Sequence, residues 1–496
     1  MSYVGQFIAG QIDGSRDQNT LTDIYDSAQG RVIRQVIWAN QEQVHRALAS
    51  ATAAFAGWAG TSPLRRAAIL FEFRQRLLAA EEDLVRLIGE EHGKIGHDAQ
   101  GELRRGLDVV DFACGIPHLL KGRFSSQISR GIDVHDFREP LGTVVGITPF
   151  NFPIMVPLWM FPIAIACGNC FILKASEQVP SAALRMAQLL TEAGLPSGVF
   201  QVLQGGASVS QSLVDAPSVR AVSFVGSTPI AQSVFLRASS NFKRVQALGG
   251  AKNHLIVMPD ADPSRAVDAL TSAAFGAAGQ RCMAISVGVI VGEQKTLIER
   301  IAVRSRNLTL GAWNNKEADL GPLISPQHFK RVLAAIDKGV AEGAQLVVDG
   351  RNVSVEGFPR GFFVGPTVFS NVRTDMTIYT DEIFGPVLCL VAVQSLDEAI
   401  ALLNKQEFGN GAAIMTNDGA VARKFAREAP AGMIGINVPI PVPPAFHSFG
   451  GWKHSLFGES HVHGEEGVNF YTKIKTITSR WDHEPSQAGL SMPVHG

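Results

Sequence analysis

Residues 222–229 read V-S-F-V-G-S-T-P. An apolar strand runs into a tight Gly-Ser turn, and Thr228-Pro229 then offers a capping residue and a proline at the first helical position. The same alternation extends outward on both sides. Upstream, an apolar run at 171–173 precedes a helical stretch at 181–193, and the run 199–203 precedes another at 208–215. Buried strands alternating with helices indicate parallel βαβ units. Downstream, from about residue 254 to 430, a second region with strands such as 287–291 repeats the pattern. The expected fold class is therefore α/β, with two such regions.

Other segments frame this core. Ser62-Pro63 is a helix start, after which Leu64, Ala67, Leu70, Phe71, Leu77 and Leu78 recur near helical spacing and predict an amphipathic helix. From 124 to 148 the texture turns to β: Ile128, Ile132, Val134 and Phe137 alternate roughly with polar residues, and 143–148 is a short β-rich run. Near the end, 471–478 (Y-T-K-I-K-T-I-T) alternates with period two and reads as an exposed or edge strand, to be paired with the earlier β excursion or with a neighbouring subunit. Residues from about His483 read as a frayed tail.

The 496 residues leave room for about three domains at roughly 150 residues each. Lys and Arg total 44 against 45 Asp and Glu, a balance that gives no global pull toward nucleic acid or anionic lipid. Five scattered cysteines read as reduced thiols rather than a disulfide framework. The first residues have neither signal- nor transit-peptide character, and no apolar run reaches the ~18 residues of a membrane span. A cytoplasmic protein without nucleic-acid or membrane partners is expected.

Several residues are candidates for chemistry. The helix start after Gly226 and Ser227 suits a pyrophosphate, although many strand–Gly–helix junctions are only junctions and the G-x-G-x-x-G fingerprint is absent. Lys174 and Glu177 follow a strand where a nucleotide ribose lies in open α/β sheets; a surface ion pair is the plainer reading. Asn151, in T-P-F-N-F-P, is either an amide donor for an oxyanion or a turn residue. Cys167 and Cys170 form a C-x-x-C without a second pair in an apolar context, and read as core rather than as zinc or redox ligands. Cys282, in G-A-A-G-Q-R-C-M-A (276–284), follows Arg281, whose charge favours a thiolate, among small residues that leave room for a substrate; burial is its rival reading. No metal site is expected.

Taken together, T-P-F-N-F-P (148–153), K-A-S-E (174–177), F-V-G-S-T (224–228), G-Q-R-C (279–282) and E-I-F-G-P (382–386) resemble the aldehyde dehydrogenase superfamily in order and spacing over nearly the whole chain. The resemblance implies two doubly wound α/β domains and a small β oligomerisation arm: residues 1–122 with 143–250 binding NAD, 251–450 carrying catalysis, and 123–142 with 465–485 forming the arm of a homodimer or homotetramer. It makes Cys282 the nucleophile, with Asn151 and the Cys282 N–H as the oxyanion hole. Lys174 and Glu177 would hold the adenosine ribose, Gly226 and Ser227 would adjoin the pyrophosphate, and Phe150, Glu382 and Phe384 would belong to the cofactor site. A carboxylate at Glu177 disfavours a 2′-phosphate, hence NAD over NADP.

One element of the superfamily is replaced. Hydrolytic members carry a glutamate two residues before a Gly-Gly pair; here the stretch is Q-A-L-G-G-A-K-N-H and the matching residue is Ala247. A methyl group accepts no proton, so the acyl-enzyme is expected to await a thiol, that of coenzyme A. The G-A-K-N-H stretch, G-Q-R-C-M-A and the segments I-N-V-P-I-P-V-P and F-Y-T-K-I-K-T-I-T-S-R-W resemble the CoA-acylating methylmalonate-semialdehyde branch, whose substrates carry a carboxylate. The arginines that bind it in that branch fall on Arg281 and, within E-L-R-R-G-L, on Arg105, with Arg104 as the alternative. Two departures stand out: Ala231 where glycine is common in the phosphate turn, and bulky His447 and Trp452 near the expected substrate mouth.

Overall fold

Val222 pairs with Val145, and Val145 in turn with Ile172, in the parallel centre of an eight-stranded sheet. The computed structural model describes residues 2–16 and 20–481. The five parallel strands lie in the order Arg244–Leu248, Val219–Val225, Thr143–Ile147, Cys170–Lys174, Phe200–Leu203. Short antiparallel strands flank them: Leu456–Phe457 at one edge, Gln6–Ile8 and Gln11–Asp13 at the other. The central strands are covered on both faces, which is why they read as unbroken apolar runs rather than alternating ones. Strand order reverses between Thr143–Ile147 and Val219–Val225, and ligands of open α/β sheets bind outside the carboxyl ends of strands at such a point.

A second, seven-stranded sheet runs Gln345–Val348, Thr367–Ser370, Val387–Val393, Ile285–Val291, Asn253–Val257, Gly411–Met415, Met433–Ile436. All neighbours are parallel except the first pair. The chain passes from one sheet to the other through Gly249–Lys252, so the carboxyl ends of the first sheet approach the amino ends of the second.

The strand Thr472–Arg480 pairs antiparallel with Ile132–Pro140, from Thr472↔Pro140 to Arg480↔Ile132, and Phe124–Ser129 completes a three-stranded sheet. The chain's own β excursion is thus the partner of the late strand. Phe124, Ile474 and Trp481 are exposed on or beside this sheet. The expected arm's last residues, 482–485, and the tail from His483 lie outside the described residues.

Two expectations about helices need correction. The helix Pro63–Ala79 forms and is capped by Ser62, but it buries Arg66, Ala67, Ile69, Leu70, Phe73 and Leu77. Leu64, Phe71 and Leu78 are exposed. The apolar stripe is narrower than the residue types suggested, because Arg66 satisfies its guanidinium on the Ala166, Ala59 and Thr61 carbonyls and takes a core position. Thr228 is the first residue of the helix Thr228–Ser240 rather than its cap, and Ser227 is the cap residue. The Thr228 hydroxyl instead accepts the Gly250 N–H at 2.8 Å, tying the turn to the crossing between the sheets. Among the described residues, no helix is long and apolar enough to cross a membrane.

Candidate active site

A cavity of about 1060 Å³ lies where the two sheets meet, lined by Pro149–Phe152, Val225–Pro229, Gly249–Gly250, Cys282, Arg331, Glu382 and Phe384, among others. Of the residues singled out by sequence, Phe150, Asn151, Gly226, Ser227, Cys282, Glu382 and Phe384 therefore converge on one space. Among the five cysteines Cys282 alone is partly exposed, the other four being buried. Cys167 and Cys170 sit in the core, where burial pushes both thiols up to about 12.

The backbone before Cys282 is built for a sharp approach. Ala277 and Ala278 both have φ of 52°, a left-handed conformation that costs a non-glycine residue roughly 1–2 kcal/mol. Asp98, on the helix Gly96–Cys114, offsets this strain: one carboxylate oxygen accepts the Ala277 N–H at 3.0 Å and the other the Arg281 guanidinium at 2.6 Å. Beyond the turn, the Cys282 carbonyl is held by the side-chain amides of Asn253 at 2.8 Å and Asn410 at 3.1 Å.

Asn151 is buried, and its amide donates to the Gln280 carbonyl at 3.1 Å, two residues before the thiol. Glu382 accepts the Ala251 N–H at 3.0 Å; burial pushes its carboxyl up to about 7, against the lowering effect of that N–H and of Lys252. A Cβ on Gly250 would come within 2.5 Å of Glu382 Oε2, so a side chain there would have to move the carboxylate aside. Phe384 has φ of 60°, and its carbonyl lies 2.8 Å from His328 Nε2.

Burial, followed by the nearby Glu382 carboxylate, pushes the Cys282 thiol up to about 12, outweighing the N–H groups of Cys282 and Met283 and the charge of Arg281. At neutral pH Cys282 is therefore a thiol. Alkylation of Cys282 by iodoacetamide is expected to accelerate about tenfold per pH unit between pH 7 and 10, since only the thiolate reacts. A plateau below pH 8 would contradict this.

Other expected residues lie apart from the cavity lining. Lys174 is buried and donates to the Gly205 carbonyl at 2.9 Å and to Glu177 at 3.4 Å; burial lowers its amine and Glu177 partly restores it. Both stand at the carboxyl end of a neighbouring strand. Arg281 lines a recess of about 20 Å³ behind Cys282. Arg105 donates to the Val442 and Pro443 carbonyls at 3.2 and 2.9 Å. Ala231, on the first turn of Thr228–Ser240, is fully buried in the core and is not among the residues that line the cavity. His447 and Trp452 are exposed and likewise absent from the lining. Ala247 is fully buried on Arg244–Leu248.

Sequence reasoning missed Lys94, Asp98, Glu102, Asn253, His328 and Asn410, which hold the site from behind. The four-residue spacing of Asp98 and Glu102 on Gly96–Cys114 was an available signal for those two; Lys94 lies in the loop before that helix. Among the described residues no group of three or more His, Cys, Asp or Glu is placed to hold a metal ion.

A thiol and a buried side-chain amide thus line one cavity at the junction of two α/β sheets, the first of which reverses its strand order there. Residues 14–477 match the aldehyde dehydrogenase family, and the chain belongs to it. It is 50% identical to the malonate-semialdehyde dehydrogenase of Pseudomonas aeruginosa, over 95% of this chain and 96% of that protein. It is 44% identical to the mitochondrial, acylating methylmalonate-semialdehyde/malonate-semialdehyde dehydrogenase of Rattus norvegicus, over 98% and 91%. A crystal structure from Sinorhizobium meliloti, assigned as a methylmalonate-semialdehyde dehydrogenase and complexed with NAD, superposes with a TM-score of 0.96 at 46% identity, covering 98% of this chain and 99% of that one.

Proposed function

We propose that the protein oxidises malonate or methylmalonate semialdehyde with NAD and transfers the acyl group to coenzyme A, releasing CO₂ and acetyl-CoA or propionyl-CoA. The observation that carries the choice of acceptor is Ala247, buried and apolar at the position where hydrolytic relatives would place a base. The residues present fit NAD: the crevice lies at the sheet's reversal point, the helix Thr228–Ser240 turns its N-terminus toward it, and Gly226, Gly249 and Gly250 leave room. Gly226 and Ser227 would adjoin the pyrophosphate, Lys174 and Glu177 would hold the adenosine ribose, Glu382 and Phe384 would position the nicotinamide half, and Phe150 would belong to the cofactor site. NAD bound there supplies a hydride acceptor.

Cys282, a thiol at neutral pH, gives up its proton to solvent as its sulfur adds to the aldehyde carbon, and Asn151 with the Cys282 N–H stabilises the alkoxide that forms. Oxidation leaves a thioester on Cys282. A carboxylate on the β carbon of a thioester leaves as CO₂ through an enolate that the thioester carbonyl stabilises, and the enolate takes up a proton from solvent at carbon to give the acetyl or propionyl thioester; this step is a property of the substrate. The thiol of coenzyme A then takes the acyl group and Cys282 is regenerated.

Arg105 and Arg281 are proposed to bind the substrate carboxylate. Asp98 and Arg105 lie about two turns apart on Gly96–Cys114, and Asp98 holds Arg281, so one helix organises both guanidinium groups. Replacing either arginine by leucine is expected to raise KM roughly 10- to 100-fold for carboxylated aldehydes, the scale of a lost charged hydrogen bond, and to leave propanal nearly unaffected. Equal effects on both substrates would overturn the assignment.

The proposed division assigns residues 1–122 with 143–250 to NAD, 251–450 to catalysis and the three-stranded sheet to assembly as a homodimer or homotetramer. The exposed apolar residues Phe124, Ile474 and Trp481 support that last role. Unpaired thiols support a reducing, cytoplasmic setting.

A further inference from the structure

We propose that Lys94 is a positioning residue for the oxyanion site, acting through the backbone of Asn151. This rests on the role proposed above for Asn151. Lys94 and Glu102 form an ion pair at 2.5 Å whose side chains are 1% and 0% exposed. The ammonium also donates to the Asn151 carbonyl at 2.7 Å and lies 4.1 Å from the centre of the Phe152 ring. Glu102 Oε1 accepts the N–H groups of Ile154 and Met155 at 2.8 and 3.2 Å, at the start of the helix Met155–Ala166. The pair therefore grips the loop at the carbonyl of Asn151 and again three and four residues on.

A buried cation without a role in the fold's core is costly to retain. Lys94 is spent on pairing Glu102 and on fixing the carbonyl of Asn151, a residue that lines the cavity together with Cys282. From the far side, the same amide is fixed by the Gln280 carbonyl, and Gln280 Oε1 is anchored by the Ile324 N–H at 3.1 Å. Asn151 is thus held between two buried frames, one on the early helix and one on the nucleophile's turn. Preorganised donors of this kind lose effect when displaced by a fraction of an ångström.

The test is a double-mutant cycle on the full-length protein with NAD, Lys94→Met against Asn151→Ala. Its readouts are the pre-steady-state burst of NADH and the iodoacetamide alkylation rate of Cys282, which needs no oxyanion hole. Because Lys94→Met leaves the Glu102 carboxylate unpaired, Lys94→Met with Glu102→Gln serves as a second variant that removes the charge. Both Lys94 variants are expected to slow the burst at least tenfold with alkylation unchanged, and to add little further loss to Asn151→Ala. A burst at the wild-type rate, equal slowing of burst and alkylation, or full additivity with Asn151→Ala would overturn the proposal. The burst is measured with malonate semialdehyde and with propanal. Wild-type activity on propanal alone would overturn the substrate assignment while leaving Lys94 tested; an Asn151→Ala burst at the wild-type rate would overturn the oxyanion role and the Lys94 proposal with it.

Discussion

Replacing Cys282 by alanine is expected to reduce NADH formation by roughly 10⁶-fold, the scale of loss on removing a covalent nucleophile. The size of the effect follows from the absence of a substitute. Cys114, Cys167, Cys170 and Cys389 are buried, with thiols raised by burial to about 12, 12, 12 and 11. Cys282 alone among the cysteines lines the cavity. Its sulfur supports no ion pair, and its carbonyl, held by Asn253 and Asn410, is untouched by the substitution. The variant should therefore melt like the parent and still bind NAD, which thermal unfolding and a fluorescence titration would establish. Activity above about one part in 10³ would contradict the assignment, because geometry and binding without the nucleophile leave only a small residue of catalysis.

Asn151→Ala is expected to lower kcat by about 10²–10³, or roughly 2.7–4 kcal/mol, with little change in KM. The amide is already fixed before substrate arrives: it is buried, bonded to the Gln280 carbonyl, and gripped at its own carbonyl by Lys94. Such a donor stabilises charge that develops only after the thiolate adds, so its removal affects the transition state far more than the bound aldehyde. Asn151→Asp, nearly isosteric, should lose at least as much, since a carboxylate presents an acceptor to an oxyanion. A loss below tenfold in steady-state and single-turnover assays would remove Asn151 from the mechanism.

Much of this was legible in the residues. The strand–turn–helix alternation around 222–229 identified the α/β class, because strands buried on both faces must be apolar throughout, and the pattern persists whatever packs against them. The motifs that line the cavity were legible for a different reason: Asn151, Gly226, Cys282 and Glu382 are held by turns whose sequences are short and distinctive. The helix at 63–79 was read with too broad an apolar face, since no periodicity reveals that Arg66 can bury its guanidinium on three carbonyls. Thr228 was misassigned as a cap because its true partner, the Gly250 N–H, lies 22 residues away. Asp98 escaped notice for a similar reason: its partners at 277 and 281 are separated from it by about 180 residues, and each contact is made only when the two sheets come together. Long-range polar contacts of this kind leave little local trace, apart from the regular spacing of charged residues along one helix face.

The central claim is that the acyl-enzyme on Cys282 waits for a thiol because Ala247 provides no base. The most direct measurement is NADH formation from malonate semialdehyde over many turnovers, with and without coenzyme A, the acyl product being identified by mass. The expected result without coenzyme A is a stall after about one equivalent of NADH per active site; adding it restores turnover and yields acetyl-CoA. Continued turnover without coenzyme A, with release of a free acid, would contradict the account and require a proton acceptor elsewhere in the cavity.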